Sequence, residues 1–410
     1  MLDLDEVPAA PGALAKTTGC VGIASCRRRC ILLRVAKSQG MKAAADFGSP
    51  ELNPRKKMNM KSTTRKLLLS LGLLSLVLSA QTPPHYQVDP TWPKELPDDW
   101  VFGRLGGVCV DSHDHIAVVD RRDITKEEAE TSHPAPPIVI FDAEGNVIQS
   151  IGDPNVVPAS IHGCFFDKEN NIWVGGNDDG IIQKYSHAGK LLLQIGKRGV
   201  FDTSDGTRRG KSLNASRQQF FLPAGIAIDP DNGDIYVADG YGNRRIAVFD
   251  KTGKFLRQWG RQAAPEEARA GTPGAFAQLV HCVTIGNDEL VYVCDRQGDR
   301  VQVFDKAGNF KRNIWVRTGT PNLPDPRGTV WWIAFSIDPE QKFMYVMNGR
   351  NEQVHILDHE TGKILASFGR PGHQIGNFIH GHTIAFDSKG NLYVAETDWG
   401  RRVQKFKVVP

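Results

Sequence analysis

One pattern recurs six times between residue 104 and the end of this 410-residue chain, and it restricts the fold more than any other feature of the sequence. An apolar run closes on Asp or Gly. A turn rich in Gly, Asn and Asp follows, then a run containing Trp or Tyr. A third run ends near Phe-Asp, and a fourth follows a Gly. The third unit shows all four: Gly225-Ile-Ala-Ile-Asp-Pro, Asp234-Ile-Tyr-Val-Ala-Asp, Arg245-Ile-Ala-Val-Phe-Asp and Lys254-Phe-Leu-Arg-Gln-Trp-Gly. Alternating apolar residues bounded by such groups predict strands joined by tight turns. The units align on Asp111, Asp167, Asp229, Gly286, Asp338 and Asp387, at spacings of 56, 62, 57, 52 and 49 residues. A repeat of that size with four short strands predicts an all-β, six-bladed β-propeller, because one four-stranded sheet cannot bury both of its faces alone. The spacings exceed a minimal blade, so insertions are expected, the largest at residues 122–136, 196–220 and 261–276. The sixth unit lacks a strand. The segment at Tyr86-Gln-Val-Asp is expected to supply it, joining the two ends of the propeller and removing an exposed edge.

The propeller is expected to occupy residues 82–410. Ahead of it, Lys61, Arg65 and Lys66 precede an apolar run at 67–78, with Ser79-Ala80-Gln81 after it. Basic start, apolar run and small residues describe a secretory signal peptide, assigned to 58–80, and the run is too short to span a bilayer comfortably. The protein is therefore expected to be exported, with no membrane span once the signal is removed. Residues 1–57 read as an upstream extension of a mis-assigned reading frame, or else as a poorly ordered tail. Charge must be read with this in view. The formal charge is +4, but residues 1–80 hold 13 Lys and Arg against 5 Asp and Glu, leaving the remainder at −4. A mildly acidic body without a basic cluster argues against a nucleic-acid partner. Cys109, Cys164, Cys282 and Cys294 lie in apolar runs without any C-x-x-C spacing and read as buried thiols; export would permit disulfides, though the sequence names no pair.

The chemistry lies in a register. Five residues before each closing position stand Gly106, His162, Ala224, His281, Ile333 and His382. Histidine occupies units two, four and six only, in a chain with 12 histidines. Alternate blades of a six-fold ring lie about 120° apart and their first strands line the central channel. Three imidazoles should converge there, an arrangement suited to Zn²⁺ with an open coordination position, while copper, nickel and iron also accept imidazole. The alternative is three separate histidines, each satisfying a local hydrogen bond. Antiparallel neighbours return the ends of the second strands to the same rim. Those ends carry Asp120-Arg121-Arg122, Asn177-Asp178-Asp179, Asp239-Gly-Tyr241, Asp295-Arg296, Asn348-Gly-Arg350 and Glu396-Thr-Asp-Trp399, which predicts a polar ring about the metal, or else solvated turns and ion pairs between blades.

Leu222-Pro-Ala-Gly-Ile-Ala-Ile-Asp-Pro, Asp239-Gly-Tyr-Gly-Asn-Arg-Arg-Ile and Gly253-Lys-Phe-Leu-Arg-Gln-Trp-Gly resemble the NHL-repeat propeller of peptidyl-α-hydroxyglycine α-amidating lyase, over about residues 104–408. The resemblance implies a six-bladed propeller with zinc on three histidines, cleaving a peptidyl-α-hydroxyglycine to a peptide amide and glyoxylate. It places the zinc ligands at His162, in Ile161-His-Gly, at His281, in Leu279-Val-His, and at His382, in His380-Gly-His-Thr-Ile. It places the active-site tyrosine at Tyr241 and an active-site arginine at Arg121. The implied substrate is a small peptide or acyl-glycine. Three positions depart from the family. Its calcium-binding acid is Thr383 here, so the resemblance does not carry a structural Ca²⁺ over to this chain. Its methionine two residues before the third histidine is His380, and the half-cystine after its tyrosine is Gly242. No copper monooxygenase sequence is read beside the propeller, so any hydroxylated glycine is expected from elsewhere. Two other functions fit the same fold. A non-catalytic propeller would bind a peptide, protein or glycan on this rim. A calcium-dependent, lactonase-like propeller would need carboxylates converging on the axis, where this chain offers histidines.

Overall fold

A computed structural model describes residues 82–317 and 327–409. The expected signal segment, the upstream extension and its cysteines lie outside the described residues. Among the described residues, six four-stranded antiparallel sheets form the blades. Their first strands are Leu105–Val110, Ile161–Phe166, Pro223–Ile228, Val280–Ile285, Trp332–Phe335 and Gly381–Phe386. Each packs against the next, and the sixth packs against the first, so the six close into a ring. No helix among the described residues is long and apolar enough to cross a membrane.

The repeated residues explain the repeated geometry. Aspartates that close first strands fold the following turn: Asp111, Asp167 and Asp387 each accept backbone N–H groups two and four residues later. This Asx geometry reverses the chain without leaving buried donors unpaired. Apolar faces of neighbouring blades then pack together, as Tyr292, Val301 and Val303 of blade four do against Phe335, Tyr345 and Val346 of blade five. The inner strands approach so closely that side chains do not fit everywhere. A Cβ at Gly225 would lie 2.8 Å from the Cα of Cys282, and one at Gly106 would run into the Ile161 carbonyl.

The ring closes as the missing strand required. His85–Val88 adds to Arg402–Val409 as the outer strand of blade six, with Tyr86 opposite Val408 and Val88 opposite Phe406. Tyr86 also stacks on Phe368 at 5.3 Å, and its hydroxyl lies 2.9 Å from that of Tyr345.

The cysteines correct one expectation. They are not thiols: Cys109 is bonded to Cys164 and Cys282 to Cys294, with Cα separations of 5.7 and 4.9 Å, inside the range a disulfide spans. Cys109 and Cys164 lie on adjacent inner strands of blades one and two, while Cys282 and Cys294 lie on paired strands of blade four. Linear spacing reveals neither adjacency.

Removing residues 82–90 should therefore open the ring. Thermal unfolding should show a midpoint lowered by at least about 10 °C, given that 1 kcal/mol moves a domain of this size by a few degrees, together with aggregation through the exposed strand. An unchanged midpoint in a soluble product would contradict the closure.

Candidate metal centre

Each central histidine is delivered by the same local construction. The first strands of blades two, four and six carry bulges, at His162/Cys164, Val280/Val283 and Gly381/Thr383. A bulge re-aims the side chain it displaces. Two residues before His281 and His382 the backbone enters the left-handed region, at Leu279 (φ 59°) and His380 (φ 52°). Non-glycine residues rarely adopt that conformation unless their surroundings impose it. Here carboxylates hold the entering chain: Asp295 accepts the Ala277 N–H at 2.9 Å, and Glu396 accepts the Ile379 N–H at 2.7 Å. In blade two, Asp179 accepts the Ala159 N–H at 2.9 Å.

These carboxylates qualify the expected polar ring. Asp239, Asp295 and Glu396 do not line the axis. Each turns back to an arginine of its own blade: Asp239 to Arg245 at 2.9 Å, Asp295 to Arg300 at 2.8 Å, and Glu396 to Arg402 at 2.8 Å. The same arginines donate to carbonyls in the loop entering each blade, Arg245 to Ser216 and Gln219, Arg300 to Ala275, and Arg402 to His373 and Asn377. They are clamps that fix the entry to the first strand, buried at Arg245 and Arg300 and half-buried at Arg402, where a carboxylate partner offsets the cost of taking the charge out of water.

The three histidines meet. His162, His281 and His382 are all buried, with ring centres 4.9, 4.7 and 5.1 Å apart. One nitrogen from each lies within 4.8 Å of the other two. Burial holds all three imidazoles well below their ordinary pKa; the charges of Arg121 and Arg296 add to this at each ring, as does the neighbouring His281 at His162 and at His382. They are therefore neutral and able to bind a cation. His281 Nδ1 lies 2.5 Å from the Trp331 carbonyl oxygen and donates to it, which leaves the lone pair on Nε2. His162 and His382 each have a buried Nδ1 without a hydrogen-bond partner. A convergent set of three neutral nitrogens fits a divalent ion of the zinc class better than calcium or magnesium, which prefer oxygen. Thr383 is otherwise engaged, its hydroxyl oxygen accepting the Val108 N–H at 2.9 Å.

Tyr241 reaches this centre. Its hydroxyl lies 3.2 Å from His162 Nε2 and 2.9 Å from His281 Nε2. Arg121 stands at the same rim, its Nε donating to the Ile161 carbonyl beside His162 at 3.3 Å. Arg296 was expected in the rim, without a role. The structure places it 3.4 Å from the Tyr241 hydroxyl and 3.5 Å over the Trp331 ring, with Nε donating to the Arg327 carbonyl at 2.7 Å. A signal was present: Arg296 follows Asp295 as Arg121 follows Asp120, in blades that face each other across the ring. His380, where the resemblance has methionine, pairs with Asp398 at 3.1 Å. Although burial opposes it, His380, Arg121 and Arg104 hold the Asp398 carboxyl below its usual value.

In metal-stripped protein, each central imidazole stays neutral in the fold but takes a proton in the unfolded chain near pH 6.5. Below that pH the unfolded state binds more protons, so stability should fall as pH drops, by at most about 1.4 kcal/mol per pH unit for each histidine. Urea unfolding at pH 7.5 and 5.5 measures this. A chain with His382→Gln should show a shallower loss; an equal loss would contradict neutral burial of His382.

Comparison with known proteins fits this geometry. A family model for the NHL repeat matches residues 222–249. Peptidyl-glycine alpha-amidating monooxygenase A of Xenopus laevis is 27% identical over 338 residues, covering 76% of this chain and 32% of that protein. NHL repeat-containing protein 3 of Homo sapiens is 25% identical over 327 residues, covering 78% of this chain and 84% of that one. Peptidyl-alpha-hydroxyglycine alpha-amidating lyase 1 of Drosophila melanogaster is 30% identical over 258 residues, covering 60% of this chain and 44% of that one. The chain thus spans about a third of the length of the amidating monooxygenases it matches. It is a six-bladed propeller with an NHL repeat, similar to proteins named for peptide amidation.

Proposed function

We propose that this NHL-repeat propeller is a metal-dependent lyase, cleaving the carbon–nitrogen bond of a peptidyl-α-hydroxyglycine to an amide and glyoxylate. The observation that carries the reading is the Tyr241 hydroxyl, 3.2 and 2.9 Å from two of three buried, neutral imidazoles. His162, His281 and His382 would hold the ion, Zn²⁺ in the first instance. When bound, such an ion makes a nearby hydroxyl more acidic.

The rest follows from the chain's own side chains. Tyr241, as phenolate, takes the proton from the substrate's α-hydroxyl. The oxygen–hydrogen pair becomes the carbonyl of glyoxylate, and the carbon–nitrogen pair leaves on the amide nitrogen. Tyr241 returns the proton to that nitrogen, so the phenolate is restored and no external acid is consumed. Arg121 and Arg296 offer guanidinium groups to the substrate carboxylate, a pairing that also orients the carbon–nitrogen bond. A small peptide or acyl-glycine meets these demands. Export through the 58–80 segment belongs to the same proposal, and the two disulfides agree with an oxidising compartment.

One observation favours a second reading. Human NHL repeat-containing protein 3, whose name specifies no reaction, matches over 84% of its own length. A propeller that binds a peptide, protein or glycan on this rim would use the same fold without chemistry.

Purified protein should release glyoxylate from α-hydroxyhippurate. Tyr241→Phe should lower kcat by about 10²- to 10⁴-fold, the usual worth of a general base, while keeping its metal. A metal-loaded wild type without glyoxylate release favours the binding module, and full activity in Tyr241→Phe removes the role given to the phenol.

A further inference from the structure

A second cluster of metal-binding side chains lies away from the triad. The inner strand of blade one runs from the level of the central site to Asp111, about 16 Å along an extended chain, so Asp111 sits at the opposite face. Its side chain is fully buried. Oδ1 is occupied, accepting the backbone N–H groups of His113 and His115, each at 2.8 Å. Oδ2 faces three imidazoles: His115 Nδ1 at 3.1 Å, His187 Nε2 at 3.5 Å and His113 Nδ1 at 3.6 Å. Asn170 Nδ2 also lies 3.4 Å from His113 Nδ1. His113 and His115 belong to the first turn of blade one, whereas His187 belongs to the outer turn of blade two, where Gln149 donates to its carbonyl at 2.7 Å.

We propose that Asp111, His113, His115 and His187 form a second divalent-metal site, of the zinc–copper–nickel class, that joins blade one to blade two. The spacing supports it. Ligands about 2.1 Å from a tetrahedral ion lie about 3.4 Å from each other; ligand atoms of Asp111, His113 and His115 lie within 4.8 Å of one another, and the exposed His187 approaches them through Asp111 Oδ2 at 3.5 Å. Three imidazole nitrogens with one carboxylate oxygen select a borderline metal over calcium or magnesium. The carboxylate is also pre-aimed, since its second oxygen is held by two backbone donors, the outer-shell support a metal ligand needs. His113 and His187 are substantially exposed, so an ion could bind without opening the fold. The site stands independently of the central triad and of the proposed reaction.

Zinc chloride is the probe. The full chain is stripped with a chelator and dialysed against micromolar zinc, and zinc per chain is measured for wild type and for His115→Ala/His187→Ala. The variant should hold one zinc fewer, with an unchanged far-ultraviolet circular dichroism spectrum. His187→Ala alone should weaken that equivalent by tenfold or more. Equal zinc in wild type and double variant overturns the proposal. Failure of the central site would lower both totals together and leave the difference of one, so the two outcomes separate.

Discussion

Everything at the centre of this molecule depends on six inner strands sharing one axis at nearly van der Waals spacing. Gly225 packs against the backbone of Cys282 with no room for a side chain. At that spacing a residue facing the axis meets its equivalents from other blades rather than solvent. Three imidazoles in alternate blades then have no choice but to meet. The ring itself is held by its junction, where His85–Val88 completes the sheet of blade six. Closure and site are therefore one constraint, since the ring that this junction closes is the one that brings the histidines together.

Electrostatics divides the blades into two kinds. In blades three, four and six an acid at the end of the second strand is paired with its own arginine, which in blade three also meets Asp202, so the clamp is structural. Blade one breaks the rule. Both carboxylate oxygens of Asp120 are buried with no arginine to pair with, and burial pushes the Asp120 carboxyl up to about 7. The next residue, Arg121, turns to the rim instead. Arg296 does the same opposite it, beside a clamp that Arg300 already satisfies. The result is two arginines around buried neutral imidazoles, a setting that repels protons from the rings and favours negative charge at the rim.

The fold was legible in the sequence because its period is carried by turn chemistry, with Asp closing the first run in five of the six units and Gly286 in the fourth. The triad was legible for the same reason: His162, His281 and His382 occupy one register position. Tyr241 and Arg121 came through the resemblance and the return of the second strands to the rim. The remainder depends on adjacency that no linear reading contains. The Cys109–Cys164 bond crosses between blades. The bulges that aim the histidines leave no break in the apolar alternation. Arg296 was visible as a residue, but its place against Tyr241 and Trp331 follows from the packing of blades three, four and five. The cluster at Asp111 was hidden in the same way, since His187 lies 76 residues along the chain from it.

The central claim is that three alternate blades hold one metal ion between them. Its most direct test is the metal content of the purified chain compared with His281→Ala, each confirmed folded by circular dichroism. The account predicts one equivalent fewer in the variant. Equal metal in the two proteins would contradict it.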